Sequence, residues 1–235
     1  ISEASQDKNI AFNYYTRSAV SFVAMNANNG ATADKAVRQA LMYATDRQGF
    51  CDSYFGWDKK ASDEVKKVEG GYVPAAYWSP ASVNCGAVVR NEETIDGLNT
   101  YAFDMDKANQ LLDEAGWVRG ADGIREKDGQ KLTVRLVSTK GKDQLDTMLP
   151  MLEKAWGDEL GVDFKTNLSE FNTMLATVQG DDTVNEWEVS YMGWQFGSGD
   201  DTGINLLCQT GQTDNSARIS DPDLDALLDT ALHTT

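Results

Sequence analysis

The side chains in this sequence that could carry chemistry are mainly carboxylates, because histidine is almost absent. The single histidine among 235 residues is His233. Since histidine is the commonest general base and metal ligand, a hydrolase triad, a histidine-rich zinc site and a Cys–His dyad are unsupported. Neighbouring Asp200 and Asp201 resemble a pair of catalytic acids, but nothing beside them supplies the contrasting environments that such a pair needs. We predict no catalysis and interpret both acids as ligand-facing, with a solvated loop as the alternative.

The cysteines do not define a site by their spacing. Cys51, Cys85 and Cys208 lie 34 and 123 residues apart, which is not the spacing of zinc ligands. Three cysteines allow one disulfide and a free thiol, in any of three pairings, or three free thiols in a reducing compartment. The count alone leaves these alternatives open.

Two stretches imitate ion-binding loops without matching them. Residues 197–203 are rich in glycine, but no lysine follows and their two carboxylates would repel a phosphate. The glutamate that closes a calcium loop is also missing. Asp221, Asp223 and Asp225 are better explained as the start of a helix, with Asp221 as N-cap and Pro222 in the first position. We predict neither a metal nor a cofactor.

The charge balance narrows the class of partner. Lysine and arginine number 21 and aspartate and glutamate 37, which gives a net charge of −16. Nucleic acids and anionic lipid surfaces are bound through cationic contacts, so this balance disfavours both. The sequence contains no run of about 18 apolar residues, so we predict no membrane-spanning helix.

Hydrophobic periodicity predicts alternating strands and helices. The expected elements are short strands within residues 12–26, helices ending near residue 47 and over 104–115, a strand over 132–137, a helix over about 143–160, a strand over 161–165, a helix from 169 and a strand over 187–194. The order strand, helix, strand, helix, strand in the second half predicts an α/β fold whose sheet is covered by crossover helices.

Ligands of such sheets bind beyond the carboxyl ends of the strands. Two predicted ends are residues 138–142 and the glycine-rich loop that follows Trp194. Trp194 is the strongest candidate, because aromatic rings at such positions build the apolar walls of ligand sites. The predicted ligand-binding residues are Ser138, Tyr191, Trp194, Gln195, Phe196 and Asp200.

Several stretches together resemble one known family. Residues 34–47 read DKAVRQALMYATDR, residues 71–74 read GYVP, residues 101–117 contain KA, LL and EAGW at fixed spacing, and residues 192–194 read MGW. In this order they resemble the extracellular solute-binding proteins, family 5, which are the oligopeptide, dipeptide and nickel receptors of ABC importers. The resemblance runs through most of the chain.

The resemblance implies a class II periplasmic-binding-protein-like fold of mixed α/β and α+β character, with a mixed sheet and flanking helices. We expect residues 1–235 to form a single lobe of a larger two-lobed receptor, truncated at both ends. It would lie outside the cytoplasm, lipid-anchored or periplasmic, and deliver a peptide to an ABC permease after the lobes close. An oligosaccharide receptor of the same family and a sensory or adhesion module are the alternatives.

The sequence departs from the family at the ligand-binding strand. In peptide-binding members an aspartate three residues beyond the tryptophan pairs with the peptide's amino terminus, and Gly197 occupies that position here. Some members have an arginine three residues before the tryptophan, where this chain has Tyr191. The nearest acids are Asp200 and Asp201. The export route implied by the resemblance favours one disulfide, with Cys51–Cys85 as the candidate pair.

Overall fold

The computed structural model describes residues 7, 9, 19–54, 96, 97, 99–195 and 203–233. In chain order its strands are β1 Ala19–Met25, β2 Val118–Arg119, β3 Arg125–Lys127, β4 Gln130–Lys131, β5 Thr133–Thr139, β6 Asp163–Ser169 and β7 Val189–Gln195. Four of them form a mixed sheet in the order β1-β7-β5-β6. Strand β5 is parallel to β6 and β7, and β1 is antiparallel to β7. Strands β2, β3 and β4 form a separate antiparallel sheet.

The helices of the described residues connect and cover these strands. They are α1 Lys35–Tyr43, α2 Arg47–Tyr54, α3 Met105–Glu114, α4 Asp143–Leu152, α5 Phe171–Gln179, α6 Ile204–Cys208 and α7 Pro222–His233. Short 3-10 turns cover Gly30–Ala33 and Val184–Glu186. A mixed sheet with flanking helices is therefore confirmed. Within these ranges no helix combines the length and the apolar character needed to span a bilayer.

The central strand β5 is covered on both faces. Val134 and Leu136 point to one face and Val137 to the other, as the two-residue period of a strand requires. The first face packs in the main core, whose buried members include Val37, Ala40, Leu41, Ala108, Leu112, Leu145, Leu152, Trp156, Leu160, Val162, Val189 and Tyr191. On the second face Val137 packs with Met174, Val178 and Trp187. The sheet thus lies between α1, α3 and α4 on one side and α5 on the other.

The first two long helices begin at aspartates that cap them. The Asp34 carboxylate accepts a hydrogen bond from the Ala36 backbone N–H at 2.9 Å, which satisfies a donor that the first turn of α1 leaves unpaired. Asp104 does the same at α3 for the Lys107 N–H at 2.8 Å. Gly116, with φ of +84°, follows the end of α3, where a left-handed conformation is favoured in glycine. The sequence predicts a helix at both places, but α1 ends at Tyr43, before the predicted end near residue 47, and α2 begins at Arg47.

The helix expected over 143–160 changes its type partway. Helix α4 ends at Leu152 and continues as a π-helix over Glu153–Glu159. Pro150 lies inside α4 without ending it. Its missing N–H leaves the carbonyl of Asp146, four residues earlier, without the usual helical donor, and both residues are exposed. In the π segment Trp156 is buried, and its Nε1 donates to Thr45 Oγ1 at 3.1 Å.

Candidate functional site

Three parallel strands end at the same edge of the central sheet. Their last residues are Thr139 in β5, Ser169 in β6 and Gln195 in β7. From β5 the chain passes through α4 to β6 on one side, and then through α5 to β7 on the other side of β5. Strand order reverses at β5, and a reversal of this kind opens a crevice in which ligands of α/β sheets bind. We call this edge the carboxyl edge.

Trp194 lies at the carboxyl edge, one residue before the end of β7. Its neighbour across the sheet is Val20 in β1. Trp194 is three residues after Tyr191, so the two side chains point to opposite faces of the sheet. Trp194 therefore lies on the α5 face, away from the main core, and it is partly exposed. Gln195 follows it and is exposed. An aromatic surface with a polar neighbour is available here, and ligand contact by both residues stays a prediction.

Tyr191 and Ser138 lie deeper than their sequence positions suggest. Tyr191 is 4% exposed and packs in the main core. Ser138 is fully buried, and its Oγ donates to the Tyr191 carbonyl oxygen at 2.9 Å, which joins β5 to β7. Burial raises the pKa of Tyr191, and a hydrogen bond with the Ser21 side chain opposes this. The structure gives both residues a packing role, and direct ligand contact by them stays a prediction.

The sequence reasoning did not single out the charged residues that surround the end of β5. Lys140 forms an exposed ion pair with Glu170 at 2.8 Å. The Lys142 ammonium lies 5.4 Å from the centroid of the Tyr191 ring, and burial lowers the pKa of Lys142. Burial and a hydrogen bond to Asp143 raise the pKa of Tyr54. The usable signal was the position of Lys142, immediately before a helix at the end of a parallel strand.

Phe196, Asp200 and Asp201, from the predicted ligand-binding set and the proposed acid pair, lie outside the described residues, as does Gly197. The structure brings Trp194 and Gln195 to the edge of the sheet and places Ser138 and Tyr191 beneath it. Within the described ranges no group of three or more histidine, cysteine or acidic side chains could hold a metal ion.

The described cysteines are buried or partly buried thiols. Cys51 in α2 is a free thiol, which contradicts the expected Cys51–Cys85 disulfide. Its burial raises the pKa of Cys51 to about 11, so the thiolate is scarce at neutral pH. Cys208 is also free, and burial raises its pKa.

A cavity of about 380 Å³ lies at the opposite end of the strands, beside Trp117. The three cationic side chains that line it are already paired: Arg135 with Glu188 at 2.7 Å, Lys165 with Asp163 at 2.8 Å, and Lys131 with Asp122. This cavity therefore offers little free charge to a ligand, and it is not at the edge where sheets of this type bind one.

Several known proteins are similar to this chain in sequence and in fold. A family described as bacterial extracellular solute-binding proteins, family 5 Middle, matches residues 1–217. The oligopeptide-binding protein AppA of Bacillus subtilis (strain 168) is 26% identical over 176 residues, which are 74% of this chain and 28% of that protein. A nickel-binding periplasmic protein of Escherichia coli (strain K12) is 28% identical over 155 residues, which are 66% of this chain and 25% of that protein.

Among solved structures, Bacillus subtilis AppA in complex with a nonapeptide matches with a TM-score of 0.72 and 21% identity. The match covers 92% of this chain and 39% of that one. At this identity the likeness shows the fold. In each of these three matches, the matched part is well under half the length of the other protein.

Proposed function

Since the chain belongs to the bacterial extracellular solute-binding proteins of family 5, we propose that it forms one lobe of a receptor that captures peptides. The receptor acts outside the cytoplasm, lipid-anchored or periplasmic, and delivers its ligand to the permease of an ABC importer. Because the family consists of solute-binding receptors, the proposed role is binding and not catalysis. A relative named as an oligopeptide-binding protein supports the choice of peptide.

One observation carries the proposal: a partly exposed tryptophan lies at the carboxyl edge, on β7, the strand next to the one at which strand order reverses. Trp194 is positioned by its strand pairing with β1 and lies on the opposite face from the main core. A ring at this edge offers apolar area with little side-chain entropy to lose on binding. A peptide with apolar side chains suits such a surface.

The proposed mechanism is capture by closure. A ligand that contacts this lobe and a second lobe favours the closed state by its differential contacts with it. The carboxyl edge of this chain supplies one wall of the closed site. A stacked sugar ring is also compatible with an exposed indole, so an oligosaccharide is the second candidate.

Thermal-shift measurements on the full-length receptor test this function. Pools of neutral pentapeptides should raise the unfolding midpoint in a dose-dependent way, because ligand binds only the folded state. Trp194→Ala should shrink that shift. Phe103→Ala is the matched control, since Phe103 is also an exposed aromatic residue, 51% accessible, but precedes α3. A midpoint that responds to oligosaccharides and to no peptide would reject peptide capture.

A further inference from the structure

The charged side chains at the carboxyl edge are not equally satisfied. Lys140 and Glu170 neutralise each other at 2.8 Å. Asp143 is hydrogen-bonded to the Tyr54 side chain. Lys142, between these two groups in sequence, has no ion pair or hydrogen bond from its ammonium to any described residue. A cation without an anion partner among the described residues therefore lies at the carboxyl edge, just after the end of β5.

The surroundings of Lys142 favour an anionic ligand over a neutral one. Its side chain is partly buried, and its ammonium lies over the face of the Tyr191 ring, 5.4 Å from the centroid. An aromatic face stabilises a cation, but it does not replace an anionic partner for a group that has lost part of its water. A ligand anion would compensate the Lys142 ammonium for the water that it loses on burial.

We propose that Lys142 is a specificity-determining residue that pairs with a carboxylate of the bound peptide. This inference rests on the proposed function and names the chemical group that the site selects. The carboxylate is either the peptide's carboxyl terminus or an acidic side chain. A neutral oligosaccharide offers no such group, so Lys142 discriminates against the second candidate ligand.

The position of Lys142 is fixed before any ligand arrives. It is the N-cap residue of α4, and its carbonyl accepts the Leu145 N–H at 3.0 Å. The ring beneath it is held by the core and by the bond between Tyr191 and Ser21. A group held in place loses less conformational freedom on binding, so a single ion pair contributes more to affinity. The chain's net charge of −16 repels anions at long range, which makes this local cation the selective element.

The test uses the full-length receptor and four pools of pentapeptides built from neutral residues. One pool has free carboxyl termini and one is amidated. The other two are amidated and carry one glutamate or one glutamine. Affinity is measured by calorimetry for the wild type, Lys142→Met, Lys142→Arg and Lys140→Met. The methionine keeps most of the stem over Tyr191, and Lys140→Met removes a neighbouring lysine that is already paired.

Lys142→Met should lose about tenfold in affinity for a carboxylate-bearing pool and change little for its uncharged counterpart. Lys142→Arg should keep the preference, and Lys140→Met should leave all four affinities unchanged. Loss confined to the free-terminus pool assigns the terminal carboxylate, and loss confined to the glutamate pool assigns a side chain. Equal losses for charged and uncharged pools, or no loss, overturn the inference alone. A wild-type receptor that binds none of the pools overturns the proposed function as well.

Discussion

Asp34 links the start of α1 to Trp117 and to Lys127 of β3 through one carboxylate. One oxygen accepts the Ala36 N–H at 2.9 Å, and the other accepts from Trp117 Nε1 and from Lys127 Nζ, each at 3.3 Å. Burial is the largest single influence on the pKa of Asp34 and acts upward, but the hydrogen bonds and the charge of Lys127 outweigh it and lower the pKa. The ionised form is therefore favoured by folding.

The lowered pKa of Asp34 predicts a direction for pH dependence. Its contribution to stability is complete above the usual aspartate pKa of 3.8 and is lost as the pH falls through the lower value in the folded state. Asp34→Asn should therefore flatten the dependence of urea stability on pH between about 4 and 2. Lys127→Met removes only one partner and should keep part of the slope. An Asp34→Asn profile parallel to that of the wild type would contradict this.

At the residue scale, the sequence predicted positions better than environments. The periodicity of β7 placed Trp194 at a strand end, and the structure has it there. The same pattern does not say which face of the sheet a helix covers, so the burial of Tyr191 and Ser138 was not predictable. Lys142 was overlooked because its environment depends on Tyr191, which is 49 residues later in the chain.

Glu188 ties three elements together at the amino end of the strands. Its carboxylate accepts from the Arg135 backbone N–H and Nε at 2.9 and 2.8 Å, and from Nη2 at 2.7 Å. Asn29, in the turn after β1, donates to it at 3.2 Å. Gly30 follows with φ of +52°, and a Cβ there would come within 2.4 Å of Glu188 Oε1. The turn, β5 and β7 are thus fitted around one buried acid.

Removal of this charge should destabilise the fold. The Glu188 side chain is 3% exposed and that of Arg135 36%, so Glu188→Gln leaves a guanidinium without its counter-ion in a partly desolvated place. We expect the free energy of unfolding to fall by about 2 kcal/mol. This is less than breaking a fully buried ion pair costs, because Arg135 reaches water. Urea unfolding measures it. Asp122→Asn breaks the exposed pair with Lys131 and should leave the midpoint nearly unchanged. Equal effects of the two variants would refute this account.

Elements with local signals were predicted, and the pairing of strands that are distant in sequence was not. Asp34 and Asp104 cap α1 and α3, which were both predicted as helices, because capping and periodicity act within a few residues. The pairing of β1 with β7 joins residues about 170 positions apart, such as Val20 and Trp194. Nothing local encodes that partner. The change to a π-helix after Leu152 likewise has no local sequence signal that we recognise.

At the scale of the whole molecule, the carboxyl edge is one wall of the proposed binding site. The structural match covers 92% of this chain but only 39% of the AppA chain. A peptide held on one side alone loses the contacts of the other side, so its affinity should fall. We expect the 235-residue chain to bind the pentapeptide pools at least about tenfold more weakly than the full-length receptor does.

Calorimetry on both proteins checks this expectation, with near-ultraviolet circular dichroism as the control for native packing of the shorter chain. Equal affinities would mean that this chain contains the whole site. The proposal of capture between two lobes would then be wrong, although peptide binding itself would stand.

The antiparallel pairing of β1 with β7 has a mechanical consequence. Ala19 faces Gln195, so the beginning of one strand and the end of the other lie side by side at the carboxyl edge. Tension applied to the chain just before β1 and just after β7 would break the hydrogen bonds between these strands one after another, starting at the carboxyl edge. It would not load all of them at once in shear. The fold should therefore yield at low force along that direction, and the neighbouring parallel strands should resist longer.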